Sequence, residues 1–470
     1  MTTAATSSRS GSFGADGCIR HPAEYSAGFG PAAQYSILIA GAVLTGLALI
    51  VLGARGPLAI LGLAGALAVM ARPEAGFYAV LIALVVPIPI QAGPVVLYPH
   101  DFAALLTIVA ILTHSFCRRE FDLPSGLYVA PALCLLAVQL LSMLNASNLR
   151  TAGAEVVQQV YLLLAVPAAY HLLLRDEAVL RRAVRFFTLL IAAEAILICM
   201  QFFLSMAGNY TLNVLFAFGR KFPAASYRAF GTIGPTVGLL LAASAILWLN
   251  QRASWAWKAA VLCVHAFAIF ATGTRSAMLV LFVALVFYGL FARRKALSLK
   301  LLIPVLAGLL VFAGVMGFSR FASTLDHASD SRYRIPMDRK ALGAVPRHPV
   351  IGHGPKASAG VSISIFGARK IGVENEFVAR IYNNGVLGLA ALVALGTVPV
   401  LGSVYLSKRN CPAGQLAAAM GAIIVAIYSG GLAGCLFEGS LGQWVAIFYA
   451  MMLAAASAST RPAAAAGNEI

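Results

Sequence analysis

Apolar runs of about 17–25 residues, separated by short polar segments, recur along the chain from Gln34 to Ser457. A helix of that length crosses roughly 30 Å of hydrocarbon. A bilayer core offers no water to unpaired N–H and C=O groups, so each run must satisfy its backbone within itself, as a helix does. A membrane β-barrel would instead alternate apolar and polar residues over about ten positions, and these runs do not alternate. The pattern predicts spans at approximately 35–53, 56–71, 76–92, 101–116, 126–144, 155–174, 184–206, 231–249, 257–273, 276–292, 301–318, 384–406, 413–430 and 440–457. The second and third are short, so twelve to fourteen crossings are expected. The fold class is all-α: a polytopic transmembrane helical protein.

Composition sharpens this picture. The chain is 60% hydrophobic and 11% charged, whereas soluble domains carry about a quarter charged residues. A net charge of +17 invites a nucleic-acid partner, but the basic residues are scattered among short loops and form no stripe. They mark topology instead. Arg118/Arg119, Arg175/Arg181/Arg182/Arg185, Arg252/Lys258, Arg293/Arg294/Lys295/Lys300 and Lys408/Arg409 fall in alternate loops, which the positive-inside rule assigns to the cytoplasm. The expected location is the cytoplasmic membrane, with both termini cytoplasmic. On this reading 1–33 is a disordered tail, 34–318 carries eleven spans and 319–383 is a long loop facing the periplasm or exterior. Three further spans follow over 384–457, and 458–470 is a second tail. The seven cysteines show no metal spacing and no disulfide framework.

The opposite side receives the longest connections, about 207–230 and 319–383, and loops of that length between spans are usually functional. Ser331–Val345 is expected to form a short helix displaying Arg332, Arg334, Arg339 and Lys340, followed by the turn-rich stretch from Pro349 to Pro355. A second helix is expected to start at Glu374 and run into the next span through Gly385. Two arginines break the charge pattern on this side: Arg228, just before Gly231, and Arg275, beside Thr274 and Ser276. An arginine at a membrane boundary commonly just snorkels. Two planar guanidiniums at one depth also suit a diphosphate. Glu374 is either a helix-terminal cap or a general base beside two cations. Glu376 is read as a helix-face ion pair with Arg380, four residues on. His348 and His353 have no metal-ligand companions, and packing within the loop is the favoured reading for both. Glu194 lies in mid-span, where a buried interhelical hydrogen bond and a transport role are both open.

In order, the chain offers Arg228-Ala-Phe-Gly231 with Pro235, then Thr274-Arg275-Ser276, then Pro349-Val-Ile-Gly352-His-Gly354, and last Glu374-Asn375-Glu376-Phe377 followed by Gly385-Val-Leu-Gly388. This series resembles the O-antigen ligase and polysaccharide polymerase superfamily of bacterial envelope enzymes. The resemblance implies an inverting, metal-independent, type C glycosyltransferase needing no cofactor. Such an enzyme moves a glycan from undecaprenyl diphosphate to a glycan or lipid A-core acceptor, in O-antigen, lipopolysaccharide or exopolysaccharide biosynthesis. It implies catalytic roles for Arg228, Arg275 and Glu374. Candidate substrate-contacting residues are Arg332, Arg334, Arg339, Asn375 and His353, and no metal site is expected. Where the ligases carry a loop histidine this chain has Glu374, which turns the expectation towards polymerisation or a divergent ligase. The rival classes are a secondary transporter, which calls for ionisable residues at mid-membrane and repeated broken helices, a lipid-linked glycan flippase, and a non-catalytic scaffold.

Overall fold

The computed structural model describes residues 55–86, 90–92, 95–119, 121, 124–209, 211, 236–251, 253–272, 275–291, 328–361, 363–365, 369–371, 373, 375–407, 412–432, 436 and 439–460. The chain divides into two units, 1–66 and 67–470. Of the first, only 55–66 are described, as part of helix α1 (Arg55–Ala71).

The second unit carries the remaining helices: α2 (Pro73–Val85), α3 (Pro99–Arg118), α4 (Gly126–Ser142), α5 (Leu149–Leu174), α6 (Glu177–Met206), α7 (Val237–Asn250), α8 (Trp255–Ala271), α9 (Arg275–Phe291), α10 (Ala328–Ala344), α11 (Glu376–Ser407), α12 (Pro412–Gly430) and α13 (Gly439–Thr460). Among the described residues seven helices are long and apolar enough to cross a membrane, and five shorter apolar ones accompany them. The protein is a multi-pass, all-α membrane protein. Twelve of the fourteen predicted spans coincide with helices. The other two, 35–53 and 301–318, lie outside the described residues, as do both predicted tails except 458–460, which belong to α13.

Two short antiparallel hairpins were not anticipated: β1 (Ile90–Ala92) with β2 (Val95–Leu97), and β3 (Ile363–Ile365) with β4 (Arg369–Ile371). The first shortens the span predicted over 76–92, since α2 ends at Val85 and β1 begins at Ile90. Pro87 and Pro89 follow in the sequence, and a proline cannot donate to a helical ladder and crowds the carbonyl four residues before it. The helix expected at Ser331–Val345 is α10, three residues longer at its start and closed by a 3₁₀ turn at Val345–Arg347.

Prolines inside spans are tolerated because neighbouring helices use what they release. Pro167 lacks the N–H that would bind the Leu163 carbonyl. The Tyr128 hydroxyl donates to that oxygen instead, at 2.8 Å, and α5 widens to a π-helical turn at Tyr161–Ala165. Pro399 likewise releases the Leu395 carbonyl, which accepts from the Tyr449 hydroxyl at 3.0 Å. Such re-satisfaction is what hydrocarbon demands of an interrupted helix. Close approach elsewhere depends on small residues: a Cβ on Gly238 of α7 would collide with Ala277 of α9, and one on Gly421 of α12 with Ser403 of α11.

Candidate functional site

α11 begins where the sequence offers a cap. The Asn375 side chain accepts hydrogen bonds from the backbone N–H of Phe377 (3.0 Å) and Val378 (3.3 Å), satisfying donors that a helix start leaves open. The helix expected from Glu374 therefore starts two residues later, with Asn375 as its cap. Glu376 pairs with Arg380 as expected. Arg380 Nη2 lies 2.6 Å and Nε 3.2 Å from Glu376 Oε1, and the residues are only 4% and 6% exposed. A buried pair needs its remaining polar atoms occupied, and here they are. Glu376 Oε2 accepts from the Leu436 N–H at 3.0 Å, and the Glu376 N–H donates to the Gly431 carbonyl at 2.8 Å. Arg380 Nη1 donates to Asn384 Oδ1 at 3.4 Å, and Asn384 Nδ2 to Ser142 Oγ at 2.7 Å. A polar ladder with steps of four residues thus ties α11 to the turn before α13 and to the end of α4.

One residue beyond Asn384 the helix breaks. Gly385 has φ 66° and ψ −168°, a region essentially closed to side-chain-bearing residues. The break exposes carbonyls before it and N–H groups after it, and the stretch from His348 to Gly354 takes up both sets. The His353 and Gly354 N–H groups donate to the Tyr382 and Asn383 carbonyls (3.0 and 2.9 Å). In return the Val386 and Leu387 N–H groups donate to the Pro349 and Val350 carbonyls (2.9 and 3.3 Å). Gly352, at φ 71°, presses so closely on Asn383 and Asn384 that a Cβ there would overlap their backbone. Asn145 adds a bond to the Gly352 carbonyl at 2.8 Å, and Asn383 Oδ1 accepts from the Ser358 N–H at 2.7 Å. Two motifs separated by about thirty residues in sequence are therefore one interlocked unit. Their spacing in sequence carries no sign of this.

His353 is held by this unit. Its ring stacks on Tyr382 (centroids 4.3 Å apart, planes at 3°), and His348 meets it edge-on at 4.8 Å. Its Nδ1 is 3.3 Å from the Tyr382 carbonyl. Burial, chiefly, holds its pKa below the ordinary 6.5, with His348 and Arg347 adding to the effect against the opposing backbone hydrogen bond. The ring thus packs within the loop against Tyr382 and His348. Lys356 reaches across to Glu155 of α5 at 3.5 Å.

Of the other predicted residues, Arg334 is half-buried and Arg339 exposed on α10, whose Met337 and Ala341 pack with Val361, Val373 and Ala379. Arg275 opens α9. Its side chain, that of Arg332, and the whole of Arg228 and Glu374 lie outside the described residues. Glu374 stands in sequence between Val373, which is buried, and the capping Asn375. Glu194 is buried in α6 and is not free of partners. Among the described residues no group of three or more His, Cys, Asp or Glu gathers as metal ligands.

The chain has no significant match among curated proteins. Residues 259–393 match the family model described as O-antigen ligase. This stretch runs from α8 into α11 and includes Arg275, the α10 arginines, the Pro349–Gly354 motif, Glu374 and the Gly385 break. That stretch, carried on a multi-pass helical fold, is similar to the O-antigen ligase domain of the O-antigen ligase and polysaccharide polymerase superfamily.

Proposed function

We propose that the protein transfers a glycan from undecaprenyl diphosphate to an acceptor hydroxyl at the periplasmic face of the cytoplasmic membrane, without a metal and with inversion at the anomeric carbon. The observation that carries this reading is the family match over 259–393, which encloses both the interlocked motifs and the position of Glu374. The acceptor oxygen attacks C1 of the donor's reducing-end sugar while the C1–O bond to the diphosphate breaks. The bonding pair leaves with the lipid diphosphate, and the acceptor proton passes to Glu374. Arg228 and Arg275 clamp the diphosphate and stabilise the charge that develops on it, as preorganised cations do best where water is excluded. Arg332, Arg334, Arg339, Asn375 and His353 line the approach of the glycans, Asn375 and His353 also serving as structural residues. Basic residues in alternate loops support cytoplasmic termini, which leaves these motifs on the periplasmic side.

The test is transfer by the purified full-length protein, given a lipid-diphosphate glycan with and without a lipid A-core acceptor. Longer glycan on the lipid identifies a polymerase, and transfer to the core a ligase. Product in neither arm excludes both. A flippase would need no base, so unimpaired function of the Glu374→Gln variant in glycan export, with no transfer, favours that reading. Loss of transfer in EDTA contradicts the metal-free mechanism.

A further inference from the structure

A second polar cluster lies outside these motifs. Asp101, in the first turn of α3, is half-exposed, with its side chain 54% accessible. Gln443, in the first turns of α13, donates from Nε2 to Asp101 Oδ1 at 2.7 Å. His100 places Nε2 3.8 Å from the same oxygen. Tyr161, which opens the π-helical turn of α5, is within electrostatic reach of Asp101. Three polar atoms in this group are buried and have no hydrogen-bond partner among the described residues: His100 Nδ1, Gln443 Oε1 and the Tyr161 hydroxyl. His100 and Gln443 are only 3% and 4% exposed. Native interiors seldom leave such atoms unpaired, because a buried polar atom without a partner has lost its water and gained nothing in return. A π turn inside an α-helix is itself frequent at functional sites.

The chemistry of the group narrows its ligand. A diphosphate would meet the Asp101 carboxylate with no cation beside it among these four residues. A metal ion would find one carboxylate where several oxygen ligands are needed. Sugar hydroxyls, which donate and accept at once, match the carboxamide and imidazole gathered on the Asp101 carboxylate, with the Tyr161 phenol within electrostatic reach. Tyr98 adds an exposed ring, stacked on His100 with centroids 5.1 Å apart, of the kind on which a sugar's apolar face can rest. Asp101 and Gln443 stand in the first turns of α3 and α13, and Tyr161 about half-way along α5. α13 leaves the turn that Glu376 holds through Leu436, and α5 follows Asn145, which binds Gly352.

We infer that Asp101, Gln443, His100 and Tyr161 form a sugar-binding subsite that holds a ring of the glycan apart from its diphosphate. The inference builds on the proposed transferase reading and adds a subsite to it. The source of the ring, donor or acceptor, is decided by which substrate's KM responds.

The test uses the full-length protein in nanodiscs, and its probe is the glycan released by mild acid from the lipid-linked pool of the cells that make the protein. Binding is read by saturation-transfer NMR, and transfer kinetics are measured in parallel. Asp101→Asn and Gln443→Ala should weaken glycan binding about ten- to a hundredfold, the usual range for losing a hydrogen bond to a charged group. They should raise the KM of one substrate to match and leave kcat within about twofold. Tyr161→Phe removes a single buried oxygen and keeps the ring's packing, so it reads the site even if the other variants fold poorly. It should show the same split at a smaller size. If the wild type turns over while these variants bind and saturate as it does, or lose kcat at constant KM, the subsite is wrong and the transferase reading stands. If the wild type binds glycan through these residues but transfers nothing, the subsite stands and the transferase reading falls. If the wild type transfers glycan yet shows no saturation transfer from it, the subsite is again refuted.

Discussion

Substituting Gly385 with alanine attacks the joint between the two motifs directly. At φ 66° and ψ −168° a side-chain-bearing residue is strained by about 1–3 kcal/mol. Its Cβ would also overlap the Val350 carbonyl and lie 2.6 Å from the Ile351 nitrogen. Relief requires the Pro349–Gly354 stretch to move away, which releases the Val386–Pro349 and Leu387–Val350 hydrogen bonds at about 0.5–1.5 kcal/mol each. The expected cost is on the order of 2–6 kcal/mol, a large share of the 5–15 kcal/mol that typically stabilises a folded protein. Thermal unfolding in nanodiscs should show a clear drop. Hydrogen exchange should accelerate at His353, Gly354, Val386 and Leu387 before the rest of α11. Gly343→Ala is the control, since that helical glycine has nothing within 4 Å of its missing Cβ and should be neutral or slightly stabilising. If Gly385→Ala melts with the wild type and keeps those amides protected, the interlock does not hold the two motifs together.

Glu376→Gln should destabilise by roughly 3–5 kcal/mol, because Arg380 would keep its charge in a buried site without its counter-ion. Replacing both residues by apolar ones of similar volume should recover most of that loss, and melting temperatures decide it. The histidine predicts a pH dependence. Burial, mainly, keeps His353 neutral below its ordinary 6.5, so as pH falls through that value the undocked loop takes up a proton that the docked loop refuses. Docking should weaken from about pH 7 downwards, read as faster exchange at Gly352–Gly354, and His353→Gln should flatten the profile. An unchanged profile would show that burial in the docked loop does not hold the ring neutral.

The helical class was legible because membrane spans announce themselves by length and hydropathy, and the ion pair of Glu376 with Arg380 by its four-residue spacing. Boundaries at prolines and glycines were less so. Pro167 and Pro399 lie within spans whose released carbonyls are met by Tyr128 and Tyr449, a compensation that depends on helices distant in sequence. Gly385 is one of a glycine pair in the sequence, and its backbone break follows from docking against Val350, which no local pattern encodes. Asp101, Gln443 and Tyr161 carry no motif at all. Their proximity comes from the packing of α3, α5 and α13, and the only local hint is polar residues in otherwise apolar runs.

The most direct test of the transferase account is the incorporation of labelled sugar by purified protein supplied with lipid-diphosphate glycan, comparing wild type with Arg275→Ala and Glu374→Ala variants of unchanged melting temperature. The account predicts transfer by the wild type, insensitive to EDTA, and at least a hundredfold loss in each variant. Full activity in both variants would contradict it.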